Sequence, residues 1–182
     1  MGGTILFSLL YIISVQPASL AQRFGERAYA WCGYIRMVSM LFEMSAVAGY
    51  ILFVFGDRYN YILMKQHHLV IQVTGLVVTV LSLGFMFYAA WVAGKEAALP
   101  AMEHQLYQGI YNYMRHPQTL GEMVSWFGVA MVLNSLTLLV YSLVWIPLFI
   151  GYTVLEDNDL ALRFGQEYID YTKRVGLFWK KR

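Results

Sequence analysis

The chain reads as an all-α integral membrane protein of about five transmembrane helices, and three observations carry that reading. Of its 182 residues, 59% are hydrophobic and only 13% are charged, about half the charged share of an ordinary soluble domain. The mean hydropathy is +0.51. The apolar residues run in unbroken stretches, several of them near the roughly 20 residues a helix needs to cross a bilayer. They do not alternate as the strands of a spanning barrel must. The same composition excludes intrinsic disorder, which needs an apolar-poor, charge-rich chain. A single cysteine, Cys32, excludes a disulfide framework. A net charge of +2 is too small to indicate a nucleic-acid partner.

The elements follow in order. A first span is expected over 4–20, interrupted late by Gln16 and Pro17. Ala18-Ser19-Leu20-Ala21 has the small residues of a cleavage site, but Met1-Gly2-Gly3 lacks the basic start of a signal peptide, which favours a retained span. The second span, 31–55, holds Arg36 and, seven residues on along the same face, Glu43. The third, 69–92, has no charge. The fourth, 120–133, is short. The fifth, 136–155, carries Pro147 as an expected kink. Only Asn134 and Ser135 separate the last two, which predicts a tight antiparallel hairpin. With the amino terminus outside, eleven of the basic residues fall on the cytoplasmic side and two on the other, the bias that sets orientation. The loop before span four and the tail after span five then both face the cytoplasm. The chain is one membrane domain, 1–182, with three amino-terminal spans in 1–93 and the chemistry-bearing core in 94–182.

Polar residues concentrate in those two cytoplasmic pieces. Pro117 suits the first turn of a helix, where its missing N–H costs nothing. His116 then stands at the head of span four, beside free N–H groups and a positive dipole end able to seat a carboxylate or phosphate, with Arg115 a fixed cation next to it. Glu156 and Asp157 leave span five as paired carboxylates able to hold an ammonium group. Each piece has a plainer reading: Arg and His ahead of a span also serve as interface anchors, and acids behind one are often solvated. Phe164, Tyr168 and Tyr171 form a stripe expected to lay an amphipathic helix on the bilayer surface. His67, His68, His104 and His116 show no metal-ligand spacing, so no metal is expected. No Gly-x-Gly-x-x-Gly or P-loop occurs.

Gly109-x-Tyr111-x-x-x-Arg115-His116-Pro117-x-x-x-Gly121, followed by the acidic pair and then Phe164-Gly165-x-x-Tyr168-x-x-Tyr171-x-x-x-Val175, resembles the isoprenylcysteine carboxyl methyltransferase family of small membrane methyltransferases. The resemblance covers about residues 104–175. It implies S-adenosyl-L-methionine as cofactor and methyl transfer to a membrane-embedded, lipophilic or lipidated acceptor at the bilayer. It places His104, Gln105, Leu106, Tyr107, Tyr111, His116, Pro117, Gln118 and Thr119 around the cofactor, and Glu156 on its methionine end. Arg115, His116 and Glu122 become the candidate catalytic residues, with Glu122 or His116 near enough to serve as base for a hydroxyl or amine. Two departures bear on the acceptor. Thr119 stands where the family usually has Tyr, and Tyr152 where it usually has the Arg that holds a substrate carboxylate. Tyr152 is therefore a substrate-side candidate with an acceptor other than prenylcysteine. Glu43, an acid within a span, is a functional candidate by default and a second substrate-side residue. Membrane sterol and isoprenoid reductases, which use a reduced nicotinamide phosphate, share an Arg-His-Pro region and remain an alternative, as does a small non-catalytic membrane subunit.

Overall fold

The computed structural model describes residues 2–56, 68–94 and 108–181. Among these residues the architecture is helical, with eight α-helices: α1 (Gly2–Ser14), α2 (Pro17–Phe24), α3 (Arg27–Gly56), α4 (His68–Ala93), α5 (Pro117–Val132), α6 (Leu136–Ser142), α7 (Trp145–Phe164) and α8 (Gln166–Arg174). Arg27–Gly56, His68–Ala93 and the α6–α7 unit, Leu136–Phe164, are each long and apolar enough to cross a membrane. The pair α1 and α2, bent by 65°, makes a fourth if it is taken as one span. This is a multi-pass membrane protein of three to four candidate spans rather than five. The expected fourth span is α5, whose 16 residues reach only about 24 Å at 1.5 Å per residue, short of the ~30 Å hydrocarbon core.

The first span is also corrected. Helix α1 stops at Ser14 because Pro17 has no N–H to offer the Ile13 carbonyl, and its ring occupies that space. The Gln16 N–H tightens onto Ile13 O at 3.3 Å, and its side-chain amide donates to Ile12 O at 2.7 Å. The N–H groups of Ala18 and Ser19, at the start of α2, donate to the two carboxylate oxygens of Asp159 at 3.0 and 2.7 Å. A side chain 140 residues away thus does the work of an N-cap and ties α2 to α7.

The hairpin of α5 with α6–α7 forms as expected. Asn134 takes a positive φ of 50° at the turn, a conformation Asn tolerates, and the Ser135 hydroxyl accepts from Leu138 N–H to cap α6. The proline effect appears one turn ahead of Pro147: the helix breaks at Leu143 and Val144, where the Leu143 carbonyl would have needed the missing proline N–H. Helix α5 packs along α4 through small residues, as membrane helices do. A Cβ on Gly121 would sit 2.6 Å from Ser82 O, and one on Gly128 would sit 2.8 Å from Thr79 N. Aromatic stacking fills the centre between α3, α5 and α7. The Trp126 and Trp145 rings stack at 4.3 Å, and Trp145 Nε1 donates to Tyr50 Oη at 3.1 Å.

Candidate functional site

The two polar sequence pieces meet at one end of the α5–α7 hairpin. Pro117 starts α5, and His116 stands immediately ahead of it. The backbone N–H groups of Arg115 and His116 donate to carbonyls of Gly176 and Leu177 at 3.0–3.1 Å, so the extreme tail clasps the turn that carries them. Helix α8 adds a second clasp: the Tyr171 hydroxyl donates to Tyr111 O at 2.6 Å. Tyr168 and Tyr171 are buried in the protein, and the Tyr168 hydroxyl donates to Asp157. The stripe expected on the bilayer surface therefore faces the site, because its phenols find buried acceptors there.

The two acids of α7 differ in surroundings. Asp157 is engaged on every side: by Arg115 at 3.0 Å, by His116 Nε2 at 2.8 Å, and by Tyr168. Glu156 meets His116 Nδ1 at 3.4 Å and lines a cavity. Both ring nitrogens of His116 thus face carboxylates, which requires both to donate. Burial lowers the pKa of this imidazole, but the hydrogen bonds and charges of Asp157 and Glu156 outweigh it and raise the value to about 9. His116 is therefore a cation at neutral pH, which argues for an electrostatic role and against a basic one.

The cavity measures about 70 Å³ and is bounded by Tyr111, Arg115, His116, Pro117, Gln118, Thr119, Glu122 and Glu156. The structure brings together eight of the residues singled out from the sequence. Tyr111 Oη accepts from Gln118 Nε2 at 2.8 Å and donates to Ala89 O at 3.3 Å. His104, Gln105, Leu106 and Tyr107 lie outside the described residues. Tyr152 is one helical turn before Glu156 on α7 and is buried, its hydroxyl beside Ser8 without a hydrogen bond of normal geometry. The Glu43 and Glu122 side chains meet between α3 and α5. Glu122 Oε1 is buried and has no hydrogen-bond partner among the described residues.

The wall also includes Tyr11, Arg36, Asp159 and Arg163, which the sequence reading did not place there. Arg36 shares a helix face with Glu43 by spacing. Its charge reaches Glu156 instead, and its guanidinium donates to Ser14 O at 3.1 Å. An arginine inside a span is itself a signal of function. Asp159, which the sequence reading left aside, is 2% exposed and caps α2. Its position three residues past Glu156, on the same helical face, was the available clue. Among the described residues no group of three or more His, Cys, Asp or Glu is placed to hold a metal ion.

An all-helical membrane protein with an Arg-His-Pro turn locked onto an acidic helix end has the make-up of a small membrane methyltransferase. Residues 69–167, from α4 to the start of α8, match the phospholipid methyltransferase family, and the chain belongs to that family. It is also similar to methanethiol S-methyltransferase 1 of Bradyrhizobium diazoefficiens, 36% identical over 92 residues, a stretch covering 50% of this chain and 30% of that protein. The chain thus spans less than a third of this relative's length. No solved structure matches.

Proposed function

We propose that the chain carries out S-adenosylmethionine-dependent methyl transfer to a lipophilic acceptor, at the cytoplasmic side of the bilayer. The observation that carries this reading is the inequality of the two acids: Asp157 is consumed in holding Arg115 and His116, while Glu156 lines the cavity beside them. The residues present suit the cofactor. Glu156 offers a carboxylate to the ammonium group of the methionine moiety, and Tyr111, Gln118 and Thr119 supply polar groups around it. When bound, S-adenosylmethionine supplies a methyl group already activated on a sulfonium. What remains for the protein is to align the acceptor, exclude water and take up any proton released.

The acceptor side is read one turn deeper, at Tyr152, Glu43 and Glu122. Two carboxyl groups in contact need a proton between them, because a carboxylate oxygen only accepts. The Glu43–Glu122 pair therefore retains one oxygen set to receive a proton from the acceptor, and Glu122 takes the base role in place of His116. Two acids with a phenol at position 152 suit a neutral, protic acceptor better than a carboxylate, and the methanethiol-methylating relative supports a thiol. The family match favours this reading over the nicotinamide-dependent one. The eleven-to-two split of basic residues supports an outside amino terminus and a cytoplasmic tail.

Calorimetry on detergent-solubilised protein tests the reading. Heat is expected from S-adenosylmethionine and its demethylated product and none from a reduced nicotinamide phosphate; the reverse would restore the reductase alternative.

A further inference from the structure

We propose that a second cavity, between α8, the Gly109–Asn112 turn and the tail, is a headgroup site for an anionic phospholipid, and that its occupant braces the turn that holds Arg115 and His116. None of its lining residues borders the Glu156 cavity, so its ligand is independent of what that cavity receives.

The second cavity measures about 260 Å³ and is lined by Asn112, Glu167, Tyr171, Arg174, Val175 and Lys180. One water needs roughly 10–15 Å³ by this measure, so a larger group fits. The wall carries two cations against a single carboxylate, which leaves it net positive. Arg174 and Lys180 are exposed, and among the described residues neither side chain makes an ion pair or a hydrogen bond. The lysines on either side are engaged: Lys173 Nζ bonds Asp170 at 2.7 Å, and Lys181 Nζ donates to Thr172 O at 2.9 Å. Asp170, whose charge Arg174 also feels, is thereby taken by Lys173. A guanidinium and an ammonium on one wall match the oxygens of a phosphate, the first as a fork and the second as a point charge.

The bilayer is the source of that phosphate. Trp179, next to Lys180, is 74% exposed, and an exposed tryptophan among basic residues marks a segment seated at headgroup level. The same segment reaches the Arg115–His116 turn. Val175 and Lys180 form an antiparallel bridge, and Gly176 N–H donates to Trp179 O at 2.9 Å. The turn they close offers Gly176 O and Leu177 O to the N–H groups of Arg115 and His116. A phosphate held by Arg174, at the end of α8, and by Lys180, past the turn, ties both sides of that turn together.

Calorimetry on the full chain in nonionic detergent compares short-chain phosphatidylglycerol, phosphatidylcholine of the same chain length, and inorganic phosphate. Wild type should prefer phosphatidylglycerol over phosphatidylcholine by about five- to twenty-five-fold, the scale of one to two cations at about fivefold each. Arg174→Gln and Lys180→Gln should each weaken phosphatidylglycerol by about fivefold, with melting temperatures close to wild type because both side chains are exposed. Lys173→Gln, whose charge is spent on Asp170, should stay within about twofold. Glu167→Gln should tighten binding about two- to fivefold by removing a repelling charge; a loss there means a headgroup with its own ammonium and overturns the anionic assignment. Equal affinity for the two lipids, or wild-type affinity in both Arg174→Gln and Lys180→Gln, overturns the site. Inorganic phosphate binding as tightly as phosphatidylglycerol overturns the lipid as occupant. The bracing is read by hydrogen exchange at the Arg115 and His116 amides, which phosphatidylglycerol at ten times its dissociation constant should slow by up to about tenfold. Unchanged exchange with the lipid bound overturns the bracing.

Discussion

Glu156→Gln and Asp157→Asn, one residue apart on α7, are expected to fail in different ways. The Glu156 side chain retains 27% of its exposure and touches its nearest protein partner, His116 Nδ1, at 3.4 Å, so losing its charge removes little from the fold. What it removes is a charge-assisted hydrogen bond to the ligand ammonium, about 1.5–3 kcal/mol, or roughly ten- to a hundredfold in affinity. Asp157 is 16% exposed and holds Arg115, His116 and Tyr168 together. Neutralising it strands the nearly buried Arg115 and leaves His116 with Glu156 alone, at a cost of about 3–5 kcal/mol in stability. Calorimetry with S-adenosylmethionine and thermal melting in detergent, run on both variants, read the two quantities separately. Glu156→Gln should bind weakly and melt close to wild type; Asp157→Asn should melt early. Wild-type affinity in Glu156→Gln, or an affinity loss confined to an Asp157→Asn that melts normally, would refute the assignment of the ligand-facing acid.

Asp159→Asn removes the negative charge that caps α2, and a melting temperature lowered by the equivalent of about 1 kcal/mol is expected; an unchanged melt would mean that α2 is held by packing alone. His116 has a folded pKa of about 9 against an ordinary 6.5. Its contribution, on the order of 3 kcal/mol, is therefore complete below about pH 6.5 and is lost as pH rises through about 9. Melting curves from pH 6 to 10 should show this decline in wild type and a flatter profile in His116→Gln. Gly128→Ala would press a methyl group into the α4 backbone at Thr79, lowering stability by about 1–3 kcal/mol; a melt equal to wild type would show that the two helices separate easily.

The helical class, the α5–α7 hairpin and the residues around the Arg-His-Pro turn were legible in the sequence because they depend on local patterns: long apolar runs, a two-residue gap, a proline at a helix start. Gly121 was legible as part of a motif, but its reason, close approach to Ser82 on α4, was not. The misreadings have a common origin in contacts distant along the chain. Nothing near Asp159 reveals that it caps a helix starting at Pro17. Tyr168 and Tyr171 lie on a helix whose pattern also suits a bilayer surface, and only the carboxylate of Asp157 and the carbonyl of Tyr111 turn them inward. Arg36 and Glu43 share a face by spacing, yet the neighbours that α1, α5 and α7 bring separate their surroundings.

Glu156, Asp157 and Asp159 stand within four consecutive positions of α7, and each points at a different part of the molecule: the cavity, the Arg115–His116 turn and the start of α2. Their directions are fixed jointly by the rotational setting of a single rod. An α-helix advances about 100° per residue, so inserting or deleting one residue between the Leu143–Val144 break and Leu155 would swing all three carboxylates away from their targets at once. The lower half of α7 should therefore accept changes of side chain far more readily than changes of length.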